Sequence, residues 1–146
     1  MKISTRSRYG VRLMLELALK HGKGPMFLKD ISGRQEISEK YLGQIIIPLK
    51  ARGLVTAYRG AHGGYALSRE PGKINLRDIV DALENGLSLV DCVKHPAVCK
   101  RSNTCITQGV WNRVEKAIVE ALEGITLADL VREQGVKAGS ALSWSI

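Results

Sequence analysis

Cys92, Cys99 and Cys105 lie within fourteen residues of a chain that holds no other cysteine, in the stretch D-C-V-K-H-P-A-V-C-K-R-S-N-T-C. An odd count in a chain with no secretory signal argues against a disulfide framework, which uses even numbers and an oxidising compartment. The thiols are then free to bind a metal or to react with oxidants. Lys94, Lys100 and Arg101 interleave them, and nearby cations lower thiol pKa values and offset the charge of a thiolate-ligated centre. Zinc suits the pattern poorly, because structural zinc sites pair ligands at C-x2-C to C-x4-C spacing and need four of them. Thiol redox sensing without a metal remains the alternative. A catalytic reading finds no support: apart from the cysteines, no acid, base or nucleophile constellation is visible, and a cysteine oxidoreductase more often shows C-x2-C.

What must position these thiols is a basic chain of 146 residues with net charge +8 and pI about 9.6. That length suits one domain with an added helix, and the charge points to nucleic acid or another anionic surface. The apolar stretch Val11–Leu19 is interrupted by Arg12 and Glu16, so it reads as an amphipathic helix and not as a signal or membrane segment. A cytoplasmic location is expected.

Tyr9, Leu13 and Leu17, with Met14 and Ala18 beside them, recur at helical spacing until His21-Gly22-Lys23-Gly24-Pro25, which predicts a first core helix. Leu28 and Ile31 support a second. After a turn at Gln35-Glu36-Ile37, Ser38 is placed to cap a third from Glu39, with Leu42, Ile45, Ile46 and Leu49 on its buried stripe. This order is a helix-turn-helix. Gly53 suits the left-handed position that ends the third helix, and Pro48 should bend its last turn. L-V-T-A-Y-R, R-G-A-H-G-G and Y-A-L-S then read as strand, glycine-rich turn and strand, the hairpin wing that makes the helix-turn-helix assignment specific.

On the third helix Ser38, Lys40, Tyr41 and Gln44 fall near the end that meets base edges in a major groove. Gln44 can pair with adenine in bidentate fashion, while Tyr41 fits either this face or the core. Gly43 costs up to about 1 kcal/mol inside a helix relative to alanine, a cost that close approach to DNA would explain or that the helix simply tolerates. At the wing tip Arg59 suits a narrow minor groove, and Gly60, Gly63 and Gly64 allow positive φ and close approach to a backbone or groove. Asn75 is placed to cap a helix carrying Leu76, Ile79, Val80 and Leu83. Val110, Trp111, Val114, Ala117, Ile118, Ala121 and Leu122 predict a long helix with an apolar stripe that needs a partner. A short last helix through Leu127, Leu130 and Val131 follows Thr126. The organisation expected is a mainly α fold with a small β-hairpin: a winged helix-turn-helix domain over 1–85, a cysteine-bearing segment over 86–106, a long helix, packed on its own domain or on a partner, and a short terminal helix over 107–134, and a tail over 135–146 with no assigned role.

M-K-I-S-T-R-S-R-Y-G, L-K-D-I-S-G-R-Q-E-I-S-E-K-Y-L-G-Q, L-V-T-A-Y-R-G-A-H-G-G-Y-A-L, the three cysteines and G-I-T-L-A-D-L together resemble the winged-helix regulators of the IscR/NsrR/CymR family, nearest its iron–sulfur members. The likeness runs to about Gln134. It implies a homodimer on a pseudo-palindromic DNA operator, paired through the long helix of 107–134 as its dimerisation helix, with Ser4, Thr5 and Tyr9 on the DNA backbone and Ser38, Lys40, Tyr41, Gln44, Arg59 and Gly60 on grooves or phosphates. It also implies that Cys92, Cys99 and Cys105 hold an iron–sulfur cluster, 2Fe-2S in type, which controls repression of iron–sulfur cluster biogenesis genes. The alternative within the family is a thiol-redox or partner-controlled repressor of cysteine and sulfur metabolism, and a metabolic enzyme is a further partner to consider.

Three departures from the pattern matter. Gln108 stands where a histidine is usual, three residues after the last cysteine, and an amide oxygen is a poor ligand for a soft iron–sulfur centre. His95, an acidic side chain or a nonprotein ligand is left to complete the site. The first gap, C-x6-C, is one residue longer than usual, and Gly43 replaces a common acidic residue, so operator preference does not transfer.

Overall fold

The computed structural model describes residues 2–144, with side chains described as far as residue 140. The elements run α1 (Thr5–Leu19), α2 (Leu28–Gln35), α3 (Glu39–Ala51), β1 (Val55–Tyr58), β2 (Gly64–Leu67), α4 (Leu76–Glu84), the single turn α5 (Asp91–Lys94), α6 (Ile106–Glu123) and α7 (Leu127–Trp144).

Local chemistry sets the starts and stops. Ser4 Oγ accepts the Ser7 amide at 3.0 Å to cap α1, and Ser38 Oγ accepts the Tyr41 amide at 3.1 Å to cap α3. Each satisfies an amide that the helix itself leaves unpaired. Asn75 and Asp78 form a reciprocal capping box at α4. Gly53, at φ +72°, follows α3 in the left-handed region where L residues are strained. Helix α3 continues through Pro48 to Ala51. With one turn left, the Arg52 amide still bonds the Pro48 carbonyl at 3.0 Å.

Leu13, Met14 and Leu17 of α1, Ile31 of α2, Leu42, Ile45 and Leu49 of α3, and Ile79 and Leu83 of α4 meet in one core. Burying each is worth about 1.5–3 kcal/mol. Gly10 lets α4 approach α1: a Cβ there would lie 2.1 Å from Leu83 Cδ1. The strands pair antiparallel in the register Val55↔Leu67 to Tyr58↔Gly64, and Met26 adds a bridge to Tyr65 through bonds of 2.7 and 2.8 Å. Gly64 serves that bridge. At φ +121° any Cβ would meet the Met26 carbonyl oxygen at 2.3 Å, so its close approach is to the protein's own backbone. Gly63 lacks positive φ, yet a Cβ would strike the Tyr58 carbonyl at 2.3 Å. Of the three wing glycines, Gly60 alone, at φ +98°, is free at the tip.

The chain then leaves this core and comes back. Leu127, fully buried, donates its amide to the Ile74 carbonyl at 2.9 Å, and α7 packs on α1. The core of the winged helix thus takes in a residue from beyond 1–85. The terminal helix is not short: α7 runs to Trp144, absorbing ten residues expected to form the tail. Gly135 and Gly139 each cost about 1 kcal/mol relative to alanine, but no proline stops the helix, and Val136, Lys137 and Ala138 propagate it.

Candidate DNA interface and cysteine segment

Helix α3 turns Lys40 and Gln44 to solvent from a scaffold anchored by Leu42, Ile45 and Leu49. Ser38 is exposed at its head, where its hydroxyl also makes the cap. Gly43 has open space beyond its Cβ position, so the chain leaves that point of the helix clear. Tyr41 is half-buried and packs edge-on against Tyr9, ring centres 5.9 Å apart at 84°. Its ring thus joins the margin of the core, the second of the two positions the sequence leaves open to Tyr41. Tyr9 also carries the Arg12 guanidinium over its ring at 5.2 Å, a cation–π contact. Arg59 and Gly60 are exposed at the wing tip, closed by the Gly63 amide on the Gly60 carbonyl at 3.0 Å.

The start of α1 is more occupied than sequence reasoning anticipates. Thr5 Oγ1 accepts from Arg8 Nη2 at 3.0 Å, and the Ser4 hydroxyl, besides capping, donates to the Glu84 carboxylate. Ser7 Oγ donates to the same carboxylate at 2.6 Å. The Ser4 and Ser7 hydroxyls hold the Glu84 carboxyl below its ordinary pKa, against a smaller opposing effect of burial. Glu84 ends α4 immediately before the cysteine segment, so one side chain ties that exit to the head of α1. A second unanticipated network ties α1 to the end of α2. Buried Glu16 accepts from Gln35 Nε2 at 2.6 Å and Arg34 Nε at 2.9 Å, while Arg12 Nε donates to Gln35 Oε1 at 2.8 Å.

The cysteine segment spans the gap between α4 and α6. Cys92 lies in the α5 turn, Cys99 follows a 3-10 turn at Pro96–Val98, and Cys105 is the residue that caps α6. All three are free and half-buried. The Cys105 thiol lies 3.0 Å from Thr107 Oγ1. That hydroxyl first, then the Gln108 amide, with a smaller contribution from Arg101, lowers its pKa. Gln108 has structural work: its Nε2 donates to the Cys92 carbonyl at 2.7 Å, strapping the α5 turn to α6. Leu89 is tied similarly, its amide donating to Glu115 Oε2 at 3.0 Å. His95 is exposed.

In kind, these donors fit an iron–sulfur group, being three soft thiols outside any disulfide in one segment. They are not drawn into a common cage: among the described residues no three His, Cys, Asp or Glu side chains gather as a metal site. Helix α6 buries none of its residues, leaving Val110 and Trp111 exposed along its stripe. Among the described residues no helix is long and apolar enough to cross a membrane.

A capped helix-turn-helix continued by a two-stranded wing on one core defines a winged-helix DNA-binding regulator. A family model described as Rrf2, iron-dependent transcriptional regulator, matches residues 3–133, and the chain belongs to the Rrf2 family. It is similar to protein rrf2 of Nitratidesulfovibrio vulgaris, with 41% identity over 133 residues, covering 91% of this chain and 89% of that one. It is 44% identical over 130 residues to the HTH-type transcriptional regulator CymR of Bacillus subtilis, covering 89% of each. The solved structure of that regulator, described as the global cysteine regulator of B. subtilis, matches with a TM-score of 0.77, covering 91% of this chain and 98% of that one. The structure of T. potens IscR matches with a TM-score of 0.75 at 42% identity, covering 92% and 88%. The chain is accordingly a transcriptional regulator and not an enzyme.

Proposed function

We propose that this regulator is a homodimeric repressor that binds a pseudo-palindromic DNA operator through α3 and the wing, and that its affinity is set by an iron–sulfur cluster on Cys92, Cys99 and Cys105. The observation that carries the reading is the set of three free thiols in one segment joining the DNA-binding domain to the apolar helix α6. The description of the family as iron-dependent supports it, and the likeness to an IscR structure favours iron–sulfur cluster assembly genes as targets. When bound, the cluster supplies iron–thiolate chemistry that oxygen or nitric oxide can change.

The chain's own residues do the coupling. Val110, Trp111, Val114 and Ile118 form the stripe on which two copies pair, setting two recognition helices one turn of DNA apart, about 34–36 Å. Ser38, Lys40, Tyr41 and Gln44 face the major groove. Arg59 and Gly60 meet the DNA from the wing, and Ser4, Thr5 and Tyr9 meet its backbone. Glu84 is the mechanical link: drawing the cysteines together pulls on the end of α4, and the Glu84 carboxylate passes the shift to Ser4 and Ser7 at the head of α1. A coupling of this kind is worth about 5- to 150-fold in operator affinity.

The test is ultraviolet–visible absorption with iron and sulfide analysis on protein purified without oxygen, before and after air or nitric oxide. Charge-transfer bands with matched iron and sulfide are expected. A colourless protein that resists reconstitution and still binds DNA would overturn the cluster and favour a thiol-redox or partner-controlled repressor of cysteine metabolism, in line with its likeness to CymR.

A further inference from the structure

Three isoleucines follow one another in α3, and their burial divides sharply. Ile45 is 0% exposed and Ile46 4%, whereas Ile47 is 66% exposed. The first two complete the core, so packing does not account for the third. Isolated exposed apolar residues are ordinary on protein surfaces, but Ile47 is not placed at random. Helical spacing puts it in one row with Lys40, Gly43 and Gln44, at i, i+3, i+4 and i+7, where side chains share a face. Lys40 and Gln44 are exposed on that row, and nothing of the chain lies within 4 Å of where a Gly43 Cβ would sit. The row is therefore polar at its first turn, open in the middle and apolar at its third turn.

We propose that Ile47 is a specificity-determining residue that recognises the C5-methyl group of a thymine in the major groove. The proposal rests on the reading of α3 as the recognition helix. In the major groove the methyl group is the apolar feature that distinguishes thymine from cytosine, and it is read by apolar contact. An isoleucine offers a branched hydrocarbon surface with no donor or acceptor that would compete for another base. Spacing supports the pairing. Gln44 and Ile47 are three residues apart, about 4.5 Å along the helix, close to one base-pair step of about 3.4 Å. With Gln44 bidentate on an adenine, Ile47 reaches a thymine at the neighbouring step. Each half-site then contains adjacent A·T pairs, one read by hydrogen bonds and the next by its methyl group, and the bare Gly43 beside Gln44 lets the helix sit deep.

The experiment begins with operator DNA selected from a random pool by the wild-type dimer. Thymines in the selected half-site are replaced one at a time by deoxyuridine, which removes the methyl and leaves base pairing intact. Affinities of the wild type and Ile47→Ala for each duplex are measured by fluorescence anisotropy at one fixed salt concentration. Wild type is expected to lose about three- to fivefold at one half-site position, the worth of burying a single methyl group. Ile47→Ala is expected to bind thymine and uracil there equally. The proposal is overturned if no position shows a uracil penalty in the wild type, or if the penalty survives unchanged in Ile47→Ala. Lys40→Ala and Gln44→Ala separate the two levels: if neither weakens operator binding, α3 is not the recognition helix and the underlying reading fails. If they weaken it while the uracil ratio ignores Ile47, only the methyl contact fails. Ile47 is exposed and lies outside the buried core cluster, so a melting curve matching the wild type will accompany the variant.

Discussion

The two halves of this chain are built on opposite principles. From Ser7 to Leu83 every helix of the winged domain contributes fully buried side chains to one core, and its buried carboxylate, Glu16, is satisfied on both oxygens. Between Glu84 and Thr126 not one residue is buried, although the segment carries Leu87, Leu89, Val90, Val98, Val110 and Trp111. The first half is complete in a single chain. The second is held by a few struts, Gln108 on Cys92, Glu115 on Leu89 and Glu84 on Ser4 and Ser7, and leaves its apolar surface for something else to cover. A rigid reader joined to an under-packed segment is the arrangement a switch requires, because the segment can change at small cost while the reader keeps its shape.

Breaking the proposed dimer should have the largest effect. Trp111→Glu places a charge in the α6 stripe; sedimentation should show a monomer with an unchanged winged domain, and operator affinity should fall about a hundredfold or more once the two half-sites are no longer bound together. A variant that stays dimeric would place the interface elsewhere. Next come the cores. Leu42→Ala should cost about 2–5 kcal/mol in denaturant unfolding, as for a fully buried leucine, whereas Val110→Ala should cost the isolated chain far less. Equal costs would erase the contrast between the halves. Glu16→Ala removes the acceptor shared by Arg34 and Gln35 and should cost about 1–3 kcal/mol, with the loosened tie between α1 and α2 readable in faster amide exchange of α2.

The smallest effect is the most diagnostic of the link. The folded-state pKa of Glu84 is lowered below its ordinary value of 4.5. Its clasp therefore adds stability above that value and loses it as the pH falls through the lower folded value. Glu84→Gln should flatten that part of the acid limb of the melting temperature and leave the neutral-pH fold intact. Identical acid limbs in the two proteins would remove the clasp from the account.

What the sequence discloses follows the range of the interactions. The caps at Ser38 and Asn75, the left-handed Gly53, the helical stripes and the two strands are local, and residue type with spacing reveals them. Glu84 meets Ser4 across eighty positions and Gln108 meets Cys92 across sixteen, and no periodicity records such pairs. Gly64 reads as a turn glycine, yet what fixes it is Met26 on a distant segment. The length of α7 is not legible because its last ten residues, small and polar apart from Leu142 and Trp144, carry no strong stripe, so only the absence of a stop signal points to a helix. That three soft thiols share one segment is legible from residue type and spacing; how the segment between α4 and α6 holds them apart is not, since it depends on contacts such as Gln108 on Cys92.

The decisive question is whether those cysteines control DNA binding through a bound cluster. The direct measurement is operator affinity for anaerobically prepared wild type and for the variant with Cys92, Cys99 and Cys105 all changed to alanine, before and after nitric oxide. Wild type should change by about 5- to 150-fold as its visible absorption bleaches, and the variant, colourless throughout, should hold one affinity. An equal response in the variant, or a bleached wild type whose affinity does not move, would contradict such control.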